Sequence, residues 1–127
     1  MAIQLNHTII QAKDANVSAK FLSDMLGLPT PTLFGHFVVV NTHNAVSLDF
    51  RTTTESIKSR HFAFLVSEKE FDEIFHRIKE RKMPYWADPG RTKPSAINHN
   101  DGGRGCYFLD PDGHFLEIIT RPYGSNN

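Results

Sequence analysis

One order of sequence signals occurs twice in this chain, and that repetition limits the possible folds more than any other feature. His61 follows His7 by 54 positions (61 − 7), and Pro84 follows Pro29 by 55 (84 − 29). Each His enters an apolar run, and each Pro stops a stretch whose apolar residues recur at helical spacing. Leu48-Asp49-Phe50 and Leu116-Glu117-Ile118, with their acidic residues 68 apart (117 − 49), take the same place at the end of each half, and a longer loop in the second half absorbs the extra residues. Such a pattern describes two copies of one supersecondary unit, which pack together because neither buries its apolar surface alone.

Within the first copy, Ile3 to Ile10 reads as a strand. Asp14 then caps a helix carrying Val17, Phe21, Leu22, Met25 and Leu26 on one stripe, which Gly27 and Pro29 end. A short strand around Thr32 to Phe34, the turn at Gly35-His36, an apolar run from Phe37 to Val40, a polar corner at Asn41 to Asn44 and a strand from Ala45 to Phe50 complete a β-α-β-β-β unit. The second copy opens with a strand from His61 to Val66. Ser67-Glu68-Lys69-Glu70 follows as a capping box, ahead of a helix with Phe71, Ile74, Phe75 and Ile78 on one face. Past Pro84 and a long loop come Cys106 to Leu109, the turn Asp110-Pro111-Asp112-Gly113 and a last strand from His114 to Thr120. The expected fold is α+β: a single domain of residues 1–127 in which two β-α-β-β-β modules, about 3–52 and 60–121, pair into a curved mixed sheet with the helices outside.

Composition narrows the function classes. With 14 Lys+Arg against 14 Asp+Glu in 127 residues there is no net charge, hence no basic field to gather nucleic acid or anionic lipid. No membrane span fits, and Met1-Ala2-Ile3-Gln4 lacks the basic and apolar regions of a signal peptide, so the expected compartment is the cytoplasm. A single cysteine, Cys106, excludes an intrachain disulfide and a zinc site of several thiolates. Seven His are in excess for this length, and His is the commonest metal ligand. His36, His43, His99 and His114 fall at turns or in polar loop sequence and His76 on a helix, so these five read as local or surface residues.

Strand alternation separates the remaining candidates. Leu116 and Ile118 point to one side of the last strand and Phe115, Glu117 and Ile119 to the other, as Leu48 and Phe50 oppose Ser47 and Asp49. If the aliphatic side covers the helix, both carboxylates look into a concave sheet. An unpaired carboxylate there is costly and calls for a cation or a proton. His7, His61 and Glu117 are two imidazoles and one carboxylate, the set that holds a divalent first-row metal with positions left open. The alternative reading is two hydrogen-bonded core histidines and a surface Glu. Asp49 is the fourth member by internal symmetry.

At these residues the chain resembles a known family. Asn6-His7, Arg60-His61-Phe62-Ala63-Phe64 and Tyr107-Phe108-Leu109-Asp110-Pro111-Asp112-Gly113-His114-Phe115-Leu116-Glu117 are similar to the vicinal oxygen chelate superfamily of glyoxalase I, extradiol dioxygenases, fosfomycin-resistance thiol transferases and bleomycin-binding proteins. The resemblance implies paired modules around a central metal-bearing cleft, with His7, His61 and Glu117 as ligands of Fe(II) or Mn(II), or alternatively Ni(II) or Zn(II). It also implies a small-molecule substrate and a homodimer. Asp49 falls near the second carboxylate of glyoxalase I, to within about one residue. Fosfomycin-type members carry a Thr two residues after the first His and an Arg beyond the Glu; Ile9 and Asn126 stand there, which counts against thiol transfer.

The chemistry common to the enzyme members is chelation of two substrate oxygens on a divalent ion, which stabilises an enolate or oxyanion. Asp49 would move the proton and Tyr107 would donate to the developing charge, in a dioxygenase or a lyase/isomerase. Trp86 and Arg104, on the loop from Tyr85 to Gly105, are candidate substrate contacts, with a solvated surface residue as the plainer reading of Arg104. That loop is also a candidate lid. Cys106 should face away from Tyr107 as a buried, inert thiol. The rival class is a drug-binding or sequestering protein on the same scaffold.

Overall fold

A computed structural model describes residues 2–125. Asn126 therefore lies outside the described residues. Two compact units divide the chain, with the boundary between Lys58 and Ser59.

In the first unit, strand β1 (His7–Ala12) runs parallel to β4 (Ser47–Thr52), and β4 pairs antiparallel with β3 (Phe37–Asn41), which pairs with β2 (Thr32–Phe34). The sheet order is β1-β4-β3-β2. Parallel neighbours need a long crossover, and helix α1 (Ala15–Leu26) supplies part of it, lying against β1, β3 and β4. Asp14 starts that helix by accepting from the N–H groups of Asn16 at 3.0 Å and Val17 at 3.4 Å. Gly27 stops it in a left-handed conformation, φ 69°.

The second unit repeats this topology as β5-β8-β7-β6, with β5 (His61–Leu65) parallel to β8 (Phe115–Ile119), and β7 (Gly105–Leu109) antiparallel to both β8 and β6 (Tyr85–Trp86). Helix α2 (Glu68–Glu80) opens with the expected capping box: Glu70 N–H donates to the Ser67 hydroxyl at 3.0 Å, and Ser67 N–H donates to the Glu70 carboxylate at 2.8 Å. Its Phe71, Ile74 and Ile78 are buried, and Phe75 meets Tyr85 edge to face at 5.1 Å. The architecture is thus α+β, two mixed four-stranded sheets each with one helix, in a module repeated once.

Some boundaries differ from expectation for local reasons. β1 begins at His7 rather than Ile3, because the parallel partner ends there: Ser47 N–H donates to Asn6 C=O at 2.9 Å, and just upstream Ala45 turns the chain with φ 64°. Ile3 is left fully exposed, and β4 starts at Ser47 rather than Ala45. Val17 sits on the wet side of α1, whose buried face is built largely of small residues, Ala15, Ser18, Ala19 and Ser23, together with Leu22 and Met25. His114, read as a local or surface residue, is 1% exposed and accepts the Arg60 N–H on Nδ1 at 3.0 Å.

The long segment after Pro84 is tied down along its length. Trp86 bridges to Pro94, Asn98 bridges to Gly105, and the Asp88 carboxylate accepts from the N–H groups of Thr92 and Lys93. Among the described residues, no helix is long and apolar enough to cross a membrane.

Candidate metal centre

Strand register decides which side chains share a face. In the second sheet, Ala63 and Tyr107 are the neighbours of Glu117 on either side, His61 pairs with Phe115, and Trp86 pairs with Tyr107. His61, Trp86, Tyr107, Phe115 and Glu117 therefore project from one face. The opposite face carries Cys106, Phe108, Leu116 and Ile118, each at most 2% exposed.

Glu117 is fully buried, and its two oxygens have separate partners. Oε1 lies 3.0 Å from His61 Nε2. The other ring nitrogen, His61 Nδ1, is 2.9 Å from the Phe115 carbonyl oxygen. A carbonyl only accepts, so Nδ1 carries the proton of that bond, and a neutral imidazole turns the Nε2 lone pair toward Glu117. Two acceptors in contact need a cation between them, a proton or a metal ion. A backbone carbonyl holding the far nitrogen is also the usual support of a metal-bound His. The imidazole and carboxylate here are donors that fit a divalent first-row ion.

Oε2 of Glu117 accepts from the hydroxyl of Tyr123, and Tyr107 donates in turn to the Tyr123 oxygen at 3.0 Å. Burial pushes both phenols above their ordinary range, and the carboxylate beside them adds to the shift. Sequence reasoning missed Tyr123: it lies past the last strand, and the Pro122 and Gly124 flanking it signal only a turn.

Beside the carboxylate stands an aromatic wall. Tyr107 and Phe115 stack with centroids 5.2 Å apart, His61 lies 6.0 Å from each, and Trp86 lies 6.3 Å from Phe115. The Arg91 guanidinium is 5.6 Å from the centre of the Phe115 ring and 5.8 Å from that of Trp86. Arg104 is not brought to this face. The alternation of β7 puts it on the Cys106 side, where it pairs with Glu68 at 2.7 Å and Asp72 at 2.8 Å and lies over the Phe71 ring.

In the first sheet, His7 pairs with Ser47 and Ile9 with Asp49, so His7 and Asp49 share the face opposite the buried Ile10, Leu48 and Phe50. His7 is exposed, with Nδ1 2.8 Å from the Asn6 side-chain oxygen. Asp49 is half-buried and accepts from the Ser47 hydroxyl.

A second group of metal-ligating residue types, Asp110, Asp112 and His114, gathers its ligand atoms within 4.8 Å at the turn before β8. Asp110 Oδ1 accepts there from the N–H groups of Asp112 at 2.9 Å and His114 at 2.8 Å. Those bonds make the group the frame of the turn. Burial raises the Asp110 carboxyl above its usual range.

Comparison with known proteins agrees with this architecture. The chain is 55% identical to the solved structure of oxidase ChaP-H2, covering 100% of both chains with a TM-score of 0.97. It is 58% identical to oxidase ChaP-H1, covering 97% of this chain and 99% of that one with a TM-score of 0.95. Among curated proteins, it is 25% identical to glutathione transferase FosA of Serratia marcescens over 124 residues, 93% of this chain and 81% of that protein. The family model that matches residues 4–118 spans both modules and ends one residue beyond Glu117, and the chain belongs to the Glyoxalase/Bleomycin resistance protein/Dioxygenase superfamily.

Proposed function

We propose that this protein is a divalent-metal-dependent oxidase or dioxygenase acting on a small planar molecule with two neighbouring oxygens. His7, His61 and Glu117 hold the metal, Fe(II) or Mn(II) before Ni(II) or Zn(II). The observation that carries this reading is the His61–Glu117 contact, an imidazole nitrogen 3.0 Å from a carboxylate oxygen in a site where the carboxylate is fully buried. His7 supplies the third ligand because it opens its module's first strand as His61 opens the other. Similarity to two proteins named as oxidases favours oxygen chemistry over lyase or isomerase chemistry. When bound, the ion supplies Lewis acidity toward the substrate oxygens and, if it is iron, one-electron chemistry.

The remaining work falls to the chain. Trp86 and Phe115, both half-buried, offer flat surface to a planar substrate, and the buried Tyr107 backs Phe115. Arg91, beside two of those rings, meets negative charge at the substrate's edge, while the charge of Arg104 is shared by two carboxylates of α2. Asp49 accepts a proton from a substrate hydroxyl, and the Tyr107 hydroxyl donates to charge that builds on substrate oxygen when it swings from Tyr123. The partners in this reading are the substrate and a second copy of the chain, in the cytoplasm.

Anaerobic reconstitution with Fe(II), Mn(II), Ni(II) and Zn(II), followed by catechols under oxygen and hemithioacetals without it, tests the proposal. Stoichiometric metal that is lost in His61→Ala and Glu117→Ala, with oxygen uptake in the first panel, is the expected result. Turnover in the second panel alone would replace oxygen chemistry by isomerase chemistry. A protein that takes up no metal and binds the aromatic panel equally well in both variants would be a sequestering protein instead.

A further inference from the structure

Tyr123 is 59% exposed, yet its hydroxyl is turned onto a carboxylate that solvent does not reach. The chain around it is folded to make that possible. Ser125 N–H donates to Pro122 C=O at 3.2 Å, closing a turn in which Gly124 takes a φ of 77° that favours glycine. Gly124 N–H donates to the Asp101 carboxylate at 3.1 Å, which ties the tail to the short 3-10 turn Asn100–Gly102 ahead of β7. Arg121 adds two bonds across the same turn, Nε to the Ser125 hydroxyl at 3.3 Å and Nη2 to the Ser125 carbonyl at 3.2 Å.

We infer that Tyr123 is a positioning residue for the metal centre: its hydroxyl pins Oε2 of Glu117, which leaves Oε1, the oxygen facing His61 Nε2, as the ligand atom. The inference rests on the metal-binding reading above and adds to it a residue outside the repeated module. Without the hydroxyl, Oε2 is a buried acceptor that has lost one of its donors, with Tyr107 the phenol left beside it, and the carboxylate is less firmly held about its last torsion. Partners that orient a ligating carboxylate typically change metal affinity about 10- to 100-fold.

The test uses Mn(II) alone, as a probe, on the full chain. In wild type and Tyr123→Phe, free Mn(II) is measured by its EPR signal during titration, the spectrum of bound Mn(II) is recorded at saturation, and Tm is measured on metal-free protein. The expected result is binding weakened about 10-fold or more and an altered bound spectrum because the ligand field is less well defined, with a lowered metal-free Tm because a buried acceptor has lost a donor. A Kd within twofold of wild type, or a bound spectrum identical to wild type at saturation, overturns the inference and leaves metal binding standing. Wild type that binds no Mn(II), nor any other ion of the panel above, overturns both.

Discussion

Asp49 and Glu117 hold the same register position in their two sheets. Asp49 faces Ile9, two residues after His7, and Glu117 faces Ala63, two residues after His61, each across a parallel strand pair. The two carboxylates differ in environment, one half-buried beside a serine hydroxyl and the other fully buried between an imidazole and a phenol. They also differ by one methylene.

That difference separates two roles that equal register would otherwise merge. Asp49→Asn should keep stoichiometric metal and lose turnover by roughly 10²- to 10⁴-fold, as expected for a lost proton acceptor. Glu117→Gln should lose the metal itself. Metal content measured alongside steady-state oxygen uptake checks both; an Asp49→Asn protein that comes out metal-free would make Asp49 a ligand.

Arg104 holds α2 to the edge of β7, and its contribution should fade in acid. The Thr120 hydroxyl and then the Arg104 guanidinium hold the Glu68 carboxyl below its ordinary value of 4.5. A carboxylate with a lowered pKa in the folded state binds its proton more readily when unfolded. Its stabilisation is therefore complete above about 4.5 and disappears as pH falls through the lower, folded value. Arg104→Met keeps apolar contact with Phe71 and removes the charge. Urea unfolding should show a gap between wild type and this variant at pH 7 that narrows below pH 4.5 and with added salt. Oxygen uptake should be unaffected, since Arg104 stands on the helix side.

Cys106 should be silent toward thiol reagents. Burial pushes its thiol up to about 12, so almost no thiolate exists at pH 8, and no solvent reaches the sulfur. Ellman's reagent should react only after denaturation. Cys106→Ser, which puts a hydroxyl among Phe108, Leu116 and Ile118, should cost about 1–3 kcal/mol in urea unfolding, and Cys106→Ala less. Rapid labelling of the folded protein would show that β7 opens far more readily than its burial suggests.

Short-range rules were enough for the elements themselves. Asp14, Ser67 and Glu70 announce helix starts, Asp110 to Gly113 announce a turn, and alternation along β4 and β8 assigns the aliphatic and acidic faces, because each depends on residues a few positions apart. The apolar pattern runs on through Ile3 and Leu5 and so extends the first strand beyond its true start at His7, because nothing near them tells that the pairing partner turns away at Ala45. The same alternation already puts Arg104 with Cys106; what the residues around it do not reveal is that α2 brings Glu68 and Asp72 to that side.

By itself, then, the sequence determined the repeated module, its helix caps and turns, and the residue types able to bind a metal, all of which follow from local backbone preference and side-chain period. The tertiary structure alone brings His61 Nε2 to Oε1 of Glu117, makes Asp49 and Glu117 equivalent in register, and returns Tyr123 from the tail to the far oxygen of Glu117. Each of these is a pairing of backbone paths distant along the chain. Such a pairing is set by which strands neighbour one another and where a turn such as that at Gly124 sends the chain.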